Sequence, residues 1–326
     1  PSLITEALRD RGFDAGIFDF TYILPGIRRR NFIGKLKRRL FPHMYSIWIR
    51  RALVKEFNKE APSHVIIVKG LHVDRREIKY MAAKGAYIVN WNPDDFSNMV
   101  NSSTGLLEAM RAYDLIVSAR KHLFDEYRRL GARECLYVDW YYVPHFHKER
   151  YLAKSIDASF VGSWSKYRES LFHQVQKRVS IWGAGWERCA PSVASAHNIH
   201  PKILNQTEMS KIFNQSRYNI NILTPENRDC SNLRLFEVTA SGGLLVTERN
   251  PVTESFIKDG DECLTYSSIS ELNAIMSKNA DLVEISRRGC RRILNGSNSF
   301  NDRFDVVLSA LLNSKKSTLS ARQNIF

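Results

Sequence analysis

Short apolar segments alternate with amphipathic helices along most of this chain, and this alternation limits its fold more than any other feature. Residues 63–70, SHVIIVKG, form an apolar run bounded by Pro62 and Gly70, which is typical of a parallel strand buried on both faces. A helical segment closed by Gly85 follows, and AYIVNW is the next predicted strand. The same alternation continues to LYVDW at residues 136–140. Strands that alternate with helices predict a parallel sheet with helical crossovers.

A second series of the same kind begins after a polar stretch, residues 143–157, which contains Pro144. It runs from the predicted strand ASFVGSW through YNINIL to GGLLVTE. We therefore predict two α/β domains with a cleft between them, an N-terminal domain over residues 1–147 and a C-terminal domain over residues 148–326. A last helix over about 303–313 is expected to pack back across the domains.

The composition excludes several classes of protein. Of 326 residues, 44% are hydrophobic and 25% are charged, which is ordinary for a globular protein and not for a disordered chain, a collagen or a coiled coil. The five cysteines include no C-x-x-C pair, so neither a disulfide framework nor a zinc ribbon is expected, and a reducing compartment is favoured. The chain has no apolar run of roughly 18 residues and no signal-peptide core at its start, so we expect a cytoplasmic protein.

The charge balance is strongly basic. Lys and Arg total 48 while Asp and Glu total 34, which gives a net charge of +14 and predicts a polyanionic partner. Seven basic residues lie between Arg28 and Arg39, interleaved with apolar residues such as Phe32 and Leu36. The segment Arg28–Arg51 suits the inner face of an anionic membrane, a nucleic acid, or a plain basic helix in solution. Because of the interleaved apolar residues, we expect the membrane surface more than nucleic acid.

The segment Asp229–Thr247, DCSNLRLFEVTASGGLLVT, carries the clearest chemical signal. A polar loop leads into a helix N-terminus, where unpaired N–H groups and the helix dipole favour an anion. Arg234 in the first turn suits a phosphate, and the Glu237 carboxylate, three residues later on the same face, suits ribose hydroxyls. The alternative is a capped helix with a surface Arg–Glu pair.

The pattern N-x-R-x-F-E-x-x-A-x-G-G, which runs here from Asn232 to Gly243, resembles the signature of the CgeB/YkvP-like glycosyltransferases. Residues 64–96, which end in W-x-x-D-D, and residues 113–132 resemble segments of that family's first domain. The F-V-G-S opening at residues 160–163 and the G-x-G-W turn at residues 183–186 resemble segments of its second domain. The similarity spans roughly residues 61–265.

This resemblance implies a GT-B fold, in which two Rossmann-like domains with parallel sheets face a central cleft, and the C-terminal domain binds a nucleoside-diphosphate sugar. No cofactor is then expected, because the nucleotide sugar is a substrate. Gly162 and Ser163 would face the donor diphosphate, and Lys166, Arg168 and Arg234 would neutralise it without a metal. The resemblance further implies Glu237 as the ribose ligand. It also adds Asn232 to the donor-binding set and Asp229, which starts a D-x7-E spacing, as a contact of the donor sugar.

Asp94 and Asp95 follow the strand AYIVNW at its carboxyl end, where open α/β sheets bind ligands. One of these carboxylates can serve as general base on an acceptor hydroxyl, and the alternative is an Asp that caps the next helix. The histidine pairs His145/His147 and His197/His200 have spacings that suit metal ligation. Because neither pair has a cysteine or carboxylate partner at motif spacing, we predict no metal site.

We therefore predict a metal-independent hexosyl- or pentosyltransferase. It moves a sugar from a nucleoside diphosphate to an acceptor hydroxyl on a cell-surface glycan or a lipid-linked acceptor. Two alternatives stay open. One is a sugar transferase that modifies a nucleic-acid base, and the other is a catalytically silent protein that keeps the fold as a binding or structural component.

Overall fold

The computed structural model describes residues 2–19, 42–150, 152–227, 230–278, 282–313 and 324–325. The chain divides into two compact units. The first unit ends at Val138 and resumes at Phe304, and the second unit is Asp139–Arg303. None of the helices in these described ranges combines the length and the apolar character that a membrane crossing requires.

The first unit is a parallel sheet with helices between its strands. Its strands are β1 (Asp14–Ala15), β2 (His64–Val68), β3 (Tyr87–Trp91), β4 (Leu115–Ser118), β5 (Cys135–Tyr137) and β12 (Asn324–Ile325). Its helices are α1 (Ser2–Asp10), α2 (Pro42–Glu60), α3 (Arg75–Ala83), α4 (Thr104–Ala109) and α5 (Phe124–Arg129). The strand order is β1-β12-β2-β3-β4-β5, and every pair is parallel. The apolar runs of the sequence therefore form the central strands, and Ile88 and Ile116 are fully buried between the helices.

The second unit repeats this architecture. Its strands are β6 (Ile156–Val161), β7 (Ser180–Trp182), β8 (Asn198–His200), β9 (Ser216–Asn221), β10 (Leu245–Glu248) and β11 (Leu264–Tyr266). Its helices are α6 (Lys166–Phe172), α7 (Pro191–Ala196), α8 (Gln206–Gln215), α9 (Leu233–Ala240), α10 (Pro251–Phe256), α11 (Ile269–Ser277) and α12 (Val283–Leu294). The last helix, α13 (Phe300–Leu312), starts in this unit and continues into the first.

The strand order of the second unit determines where a ligand binds. The order is β8-β7-β6-β9-β10-β11 with all strands parallel, so within this unit the strands run 3-2-1-4-5-6 in order of sequence. This is the doubly wound order, and its direction reverses between β6 and β9. A crevice opens at the carboxyl ends of the two strands at such a reversal, and ligands bind there. The loops that follow β6 and β9 are therefore the first place to look for a site.

The unit boundary lies nine residues before the predicted one, at Val138/Asp139 and not at 147/148. Residues 139–147 belong to the second unit because their contacts are there: Tyr142 bridges to Ser299, and the His147 ring bonds the Gln206 side chain. Residues 304–326 belong to the first unit, although the prediction assigned them to the second. Phe304 stacks on Trp91, and β12 pairs with β1 and β2.

Candidate functional site

The loop after β6 is held in a fixed shape by the strand beside it. A Cβ added to Gly183 would lie 2.0 Å from the Gly162 carbonyl oxygen, so only glycine allows the turn after β7 to approach this loop. The Trp186 indole N–H donates to the same carbonyl at 2.8 Å. Under the loop, Trp186 packs edge-to-face on Phe160 and Phe172. The loop is thus a rigid platform at the carboxyl end of β6.

Arg168 reaches this platform from the first turn of α6. That helix begins at Lys166 because Ser165 caps it, its hydroxyl accepting the Arg168 backbone N–H at 3.2 Å. The Arg168 guanidinium donates to the Ser163 carbonyl at 2.8 Å and lies over the Phe160 ring at 5.3 Å. Lys166, the first residue of α6, is exposed.

Arg234 reaches the same platform from α9, which follows β9. Asn232 caps this helix, its side-chain oxygen accepting the Leu235 N–H at 3.3 Å, and the Asn232 and Asn221 side-chain amides bond each other. Arg234 Nε donates to the Val161 carbonyl at 3.0 Å. Burial and the nearby positive charge of Arg168 lower the pKa of Arg234 to about 10, so it stays charged at neutral pH.

Arg168 and Arg234, here called the arginine pair, therefore bond the carbonyls on the two sides of Gly162. The two cations repel each other, as the lowered pKa of Arg234 reflects, and the surrounding backbone carbonyls and ion pair hold them in place. Two guanidinium groups held on one loop where the strand order reverses can bind an anion.

Glu237 is 2% exposed and forms an ion pair with Arg234. Its other oxygen, Oε1, lies 3.9 Å from His147 Nε2. The His147 ring is buried. Its Nδ1 accepts the Val143 N–H at 3.0 Å, so Nε2 carries the proton and donates to the Gln206 side-chain oxygen at 3.0 Å. Burial lowers the pKa of His147 to about 4, so the ring is neutral near pH 7.

The structure thus brings together most of the donor residues that the sequence predicted: Gly162, Ser163, Arg168, Asn232, Arg234 and Glu237. Lys166 begins the helix beside them. Asp229 lies outside the described residues, between Asn227 and Cys230. Glu237 does not form a surface pair, because its carboxylate is buried under the guanidinium of Arg234.

Asp94 and Asp95 lie after β3 in the first unit, and their environments differ. Asp94 is half-buried, and its carboxylate pairs with Lys69 Nζ at 2.5 Å. Lys69 has φ 66°, in the left-handed region that a lysine rarely adopts, and it directly follows β2, the strand next to β3. Such strain often marks functional sites.

Asp95 is only 4% exposed. Its Oδ1 accepts the Ser97 N–H at 2.8 Å, and its Oδ2 lies 3.3 Å from His122 Nε2. Burial raises the pKa of Asp95, but the bonds from Ser97 and His122 and the charge of Arg120 outweigh that effect, so the pKa lies below its ordinary value. Asp95 thus holds a turn and orients a histidine.

His122 is the residue that sequence reasoning missed. It follows β4, the strand next to β3, and 32% of its side chain is exposed. The available signal was its place three residues after the end of the strand LIVSA, since the carboxyl ends of neighbouring parallel strands meet at one edge of the sheet. The second aspartate and this histidine form a carboxylate–imidazole pair that opens to solvent on the histidine side.

The two histidine pairs of the sequence are split between buried and exposed positions. His147 and His197 are buried, and His197 bonds the Val179 N–H and the Phe172 carbonyl. His145 and His200 are exposed, and His200 stacks on Trp182 with ring centroids 4.6 Å apart. In the described part of the chain, no three His, Cys, Asp or Glu residues group in a way that suits a metal ion.

Most of the basic segment predicted to meet a polyanion, residues 28–41, lies outside the described residues. Its remaining part is the N-terminal half of α2. Met44, Ile47 and Trp48 are exposed on that half, with Arg51 one turn further along the same face. Ile49 and Leu53 are buried on the opposite face.

Comparison with known proteins agrees with this geometry. Residues 166–309 match a family model described as glycosyl transferase-like. That match begins at α6 and includes both members of the arginine pair. No curated protein matches the chain by sequence.

Several solved structures share the fold at low sequence identity. Anabaena HepE, in complex with UDP and glucose, has a TM-score of 0.60 and 11% identity over 94% of this chain and 95% of its own. The E. coli trehalose-6-phosphate structure bound with UDP-2-fluoro glucose has a TM-score of 0.62 and 12% identity over 83% and 78%. Sucrose-phosphate synthase from Thermosynechococcus elongatus has a TM-score of 0.60 and 9% identity over 82% and 78%. The chain therefore has the two-unit GT-B fold of the glycosyltransferases, with a glycosyl transferase-like segment at residues 166–309.

Proposed function

We propose that this protein transfers a sugar from a nucleoside-diphosphate sugar to an acceptor hydroxyl. The observation that carries the proposal is the arginine pair at the strand-order reversal of the second unit, where Arg168 and Arg234 flank Gly162. Two guanidinium groups on one loop can supply positive charge and bidentate hydrogen bonds to a diphosphate. The motif from Asn232 to Gly243 supports a CgeB/YkvP-like enzyme in particular.

The neighbouring structures support the class of donor. HepE is in complex with UDP and glucose, and the E. coli structure holds UDP-2-fluoro glucose. For this chain we propose a nucleoside-diphosphate hexose or pentose, with its diphosphate on the arginine pair and on Lys166. Glu237 fixes Arg234 through one oxygen, and Glu237 stays our proposed ribose ligand. Asp229 stays our proposed contact of the donor sugar.

The chemistry of the donor side is mainly electrostatic. As the glycosidic bond breaks, a second negative charge develops on the β-phosphate of the donor, and the guanidinium groups stabilise it without having to reorganise. In this proposal they supply the charge that a divalent metal supplies in other transferases. Activity should then persist in EDTA, and a complete loss that is restored by manganese or magnesium would contradict this part of the proposal.

We assign the acceptor to the first unit, at the carboxyl ends of β2, β3 and β4. Asp94 and Asp95 are the proposed catalytic carboxylates. The half-buried Asp94 is the one that an acceptor hydroxyl can reach, while Asp95 orients His122. His122 is partly exposed and lies beside the buried Asp95 carboxylate, so we propose that its imidazole shares the role of general base.

For the acceptor itself, we propose a cell-surface glycan or a lipid-linked sugar in a polyanionic setting, met at the inner face of the membrane by Arg28–Arg51. The exposed apolar residues of α2 favour a membrane surface over a nucleic acid. A base-modifying enzyme would instead bind duplex DNA, with an affinity that falls steeply with salt.

A thermal-shift screen with UDP-, GDP-, CDP- and dTDP-sugars tests the donor proposal, because a ligand that binds only the native state raises the melting temperature. One nucleotide series should stabilise the wild type and fail to stabilise Arg168→Met. Lys202→Met, which removes an exposed cation of the same unit, is the matched control and should respond like wild type. Donor hydrolysis without acceptor then distinguishes an enzyme from a silent binding protein. The absence of any nucleotide-dependent shift in the wild type would refute the donor proposal.

A further inference from the structure

The first unit contains an apolar cavity that the donor chemistry does not use. It has a volume of about 450 Å³, which is within the range of ligand pockets. Its walls come from α1, from the loop after β1, from the inner face of α2 and from β2, through residues such as Leu8, Ile49, Leu53 and Val65. Most of the wall is aliphatic, so the cavity suits a hydrocarbon chain better than a sugar.

The polar end of this cavity is next to the proposed acceptor carboxylate. Lys69, Gly70 and His72, which follow β2, line the cavity, and Lys69 Nζ is 2.5 Å from the Asp94 carboxylate. The strained backbone of Lys69 is at the same place. A molecule with an apolar tail in the cavity would therefore hold its polar end near Lys69 and Asp94.

Helix α2 connects the cavity to a second apolar surface. Ile49 and Leu53 on its inner face line the cavity, while Trp48 on the outer face is 52% exposed, beside the exposed Met44 and Ile47. Trp is favoured where a protein meets a membrane interface, and Arg51 on the same face suits anionic headgroups. One helix thus presents apolar residues both to a lipid surface and to the cavity.

We propose that the cavity binds the hydrocarbon tail of an amphiphilic, lipid-linked acceptor drawn from an anionic membrane, with its head group at Lys69 and Asp94. This inference rests on the proposed function for the identity of the reaction, but it concerns only the first unit. Its tail-binding half can fail while donor binding by the second unit stands.

The test uses a dansyl-labelled undecanoic acid as the probe, below its aggregation concentration and without vesicles. Fluorescence titration of the full chain should show saturable binding of one probe per protein. Ile49→Trp and the milder Leu53→Phe reduce the cavity and should weaken binding at least tenfold. Ile47→Trp adds the same bulk as the first variant, two residues away on the outer face, and should bind like wild type. Thermal shifts with the nucleotide sugar that stabilises the wild type, read in the same samples, should be unchanged in all three variants.

Several results would overturn the proposal. The first is no saturable binding of the probe by the wild type. The second is equal loss in Ile49→Trp and Ile47→Trp, which would mean adsorption to the surface of α2 and not entry into the cavity. The third is wild-type affinity in both cavity variants. If Ile49→Trp fails to fold, Leu53→Phe alone decides the outcome. A failure of the proposed function would appear separately, as no response to any UDP-, GDP-, CDP- or dTDP-sugar.

Discussion

Replacement of Arg234 by methionine tests two roles of this residue separately: the buried ion pair with Glu237 and the proposed contact with the donor diphosphate. Met keeps an unbranched apolar stem but removes the guanidinium that pairs with Glu237 and bonds the Val161 carbonyl. Glu237, with 3% of its side chain exposed, is then a buried carboxylate without its cation. Removing one partner of a buried ion pair costs about 3–5 kcal/mol. Because 24% of the Arg234 side chain is exposed, we expect the lower end of that range.

This cost is measurable as a change in melting temperature. In a unit of the size of Asp139–Arg303, 1 kcal/mol corresponds to about 2–4 °C, so Arg234→Met should lower the melting temperature of the second unit by about 6–12 °C. Under the proposed function, the transition of that unit is the one that a nucleotide sugar should raise in the wild type. At a ligand concentration of about 100 Kd, the wild type should gain about 2.7 kcal/mol, and Arg234→Met should gain none.

The double variant Arg234→Met/Glu237→Gln is the decisive control. It removes the unpaired carboxylate and should regain most of the lost stability, since replacing both partners of a buried pair is often close to neutral. It should still lack the nucleotide-dependent shift, because the cation proposed to bind the diphosphate is gone. If the double variant is as unstable as the single one, the buried pair is not the source of the loss. If either variant keeps a wild-type response to the nucleotide, the arginine pair is not the diphosphate site.

Two further predictions concern the platform and the buried histidine. Gly183→Ala places a Cβ against the Gly162 carbonyl and should lower the stability of the second unit. Gly260→Ala is the control, because Gly260 has φ 75° but no atom within 4 Å of an added Cβ, and it should cost less. Equal losses of stability in urea unfolding would show that the contact with the Gly162 carbonyl does not matter. Burial lowers the pKa of His147 from 6.5 to about 4, so the folded state favours the neutral ring. The neutral ring therefore contributes fully to the free energy of unfolding above pH 6.5. This contribution, up to about 3 kcal/mol, is lost as the pH falls toward 4. The stability of His147→Gln should therefore depend less steeply on pH between 6.5 and 4 than that of the wild type. Some dependence should remain, because the pKa of His197 also lies below its ordinary value. Identical slopes in the two proteins would contradict the assignment.

The sequence by itself determined the local elements and the fold class. Apolar runs such as residues 64–68 and 87–91 became central parallel strands, because a continuous apolar segment is stable only where both faces of a strand are covered. The helix that starts after Asn232 was also predictable, since a capping side chain and the apolar pattern that follows it are local signals. Local signals placed the domain boundary only approximately, at 147/148. Residues 139–147 belong to the second unit because they contact residues far along the chain.

Only the tertiary structure decided which distant residues meet. Arg168 and Arg234 lie on different helices and converge on Gly162 because the strand order of the second unit reverses between β6 and β9. The burial of Glu237, the pairing of His122 with Asp95 and the insertion of β12 between β1 and β2 depend on strand order in the same way. Strand order is set by the packing of whole elements, and neither periodicity nor capping in one segment records it.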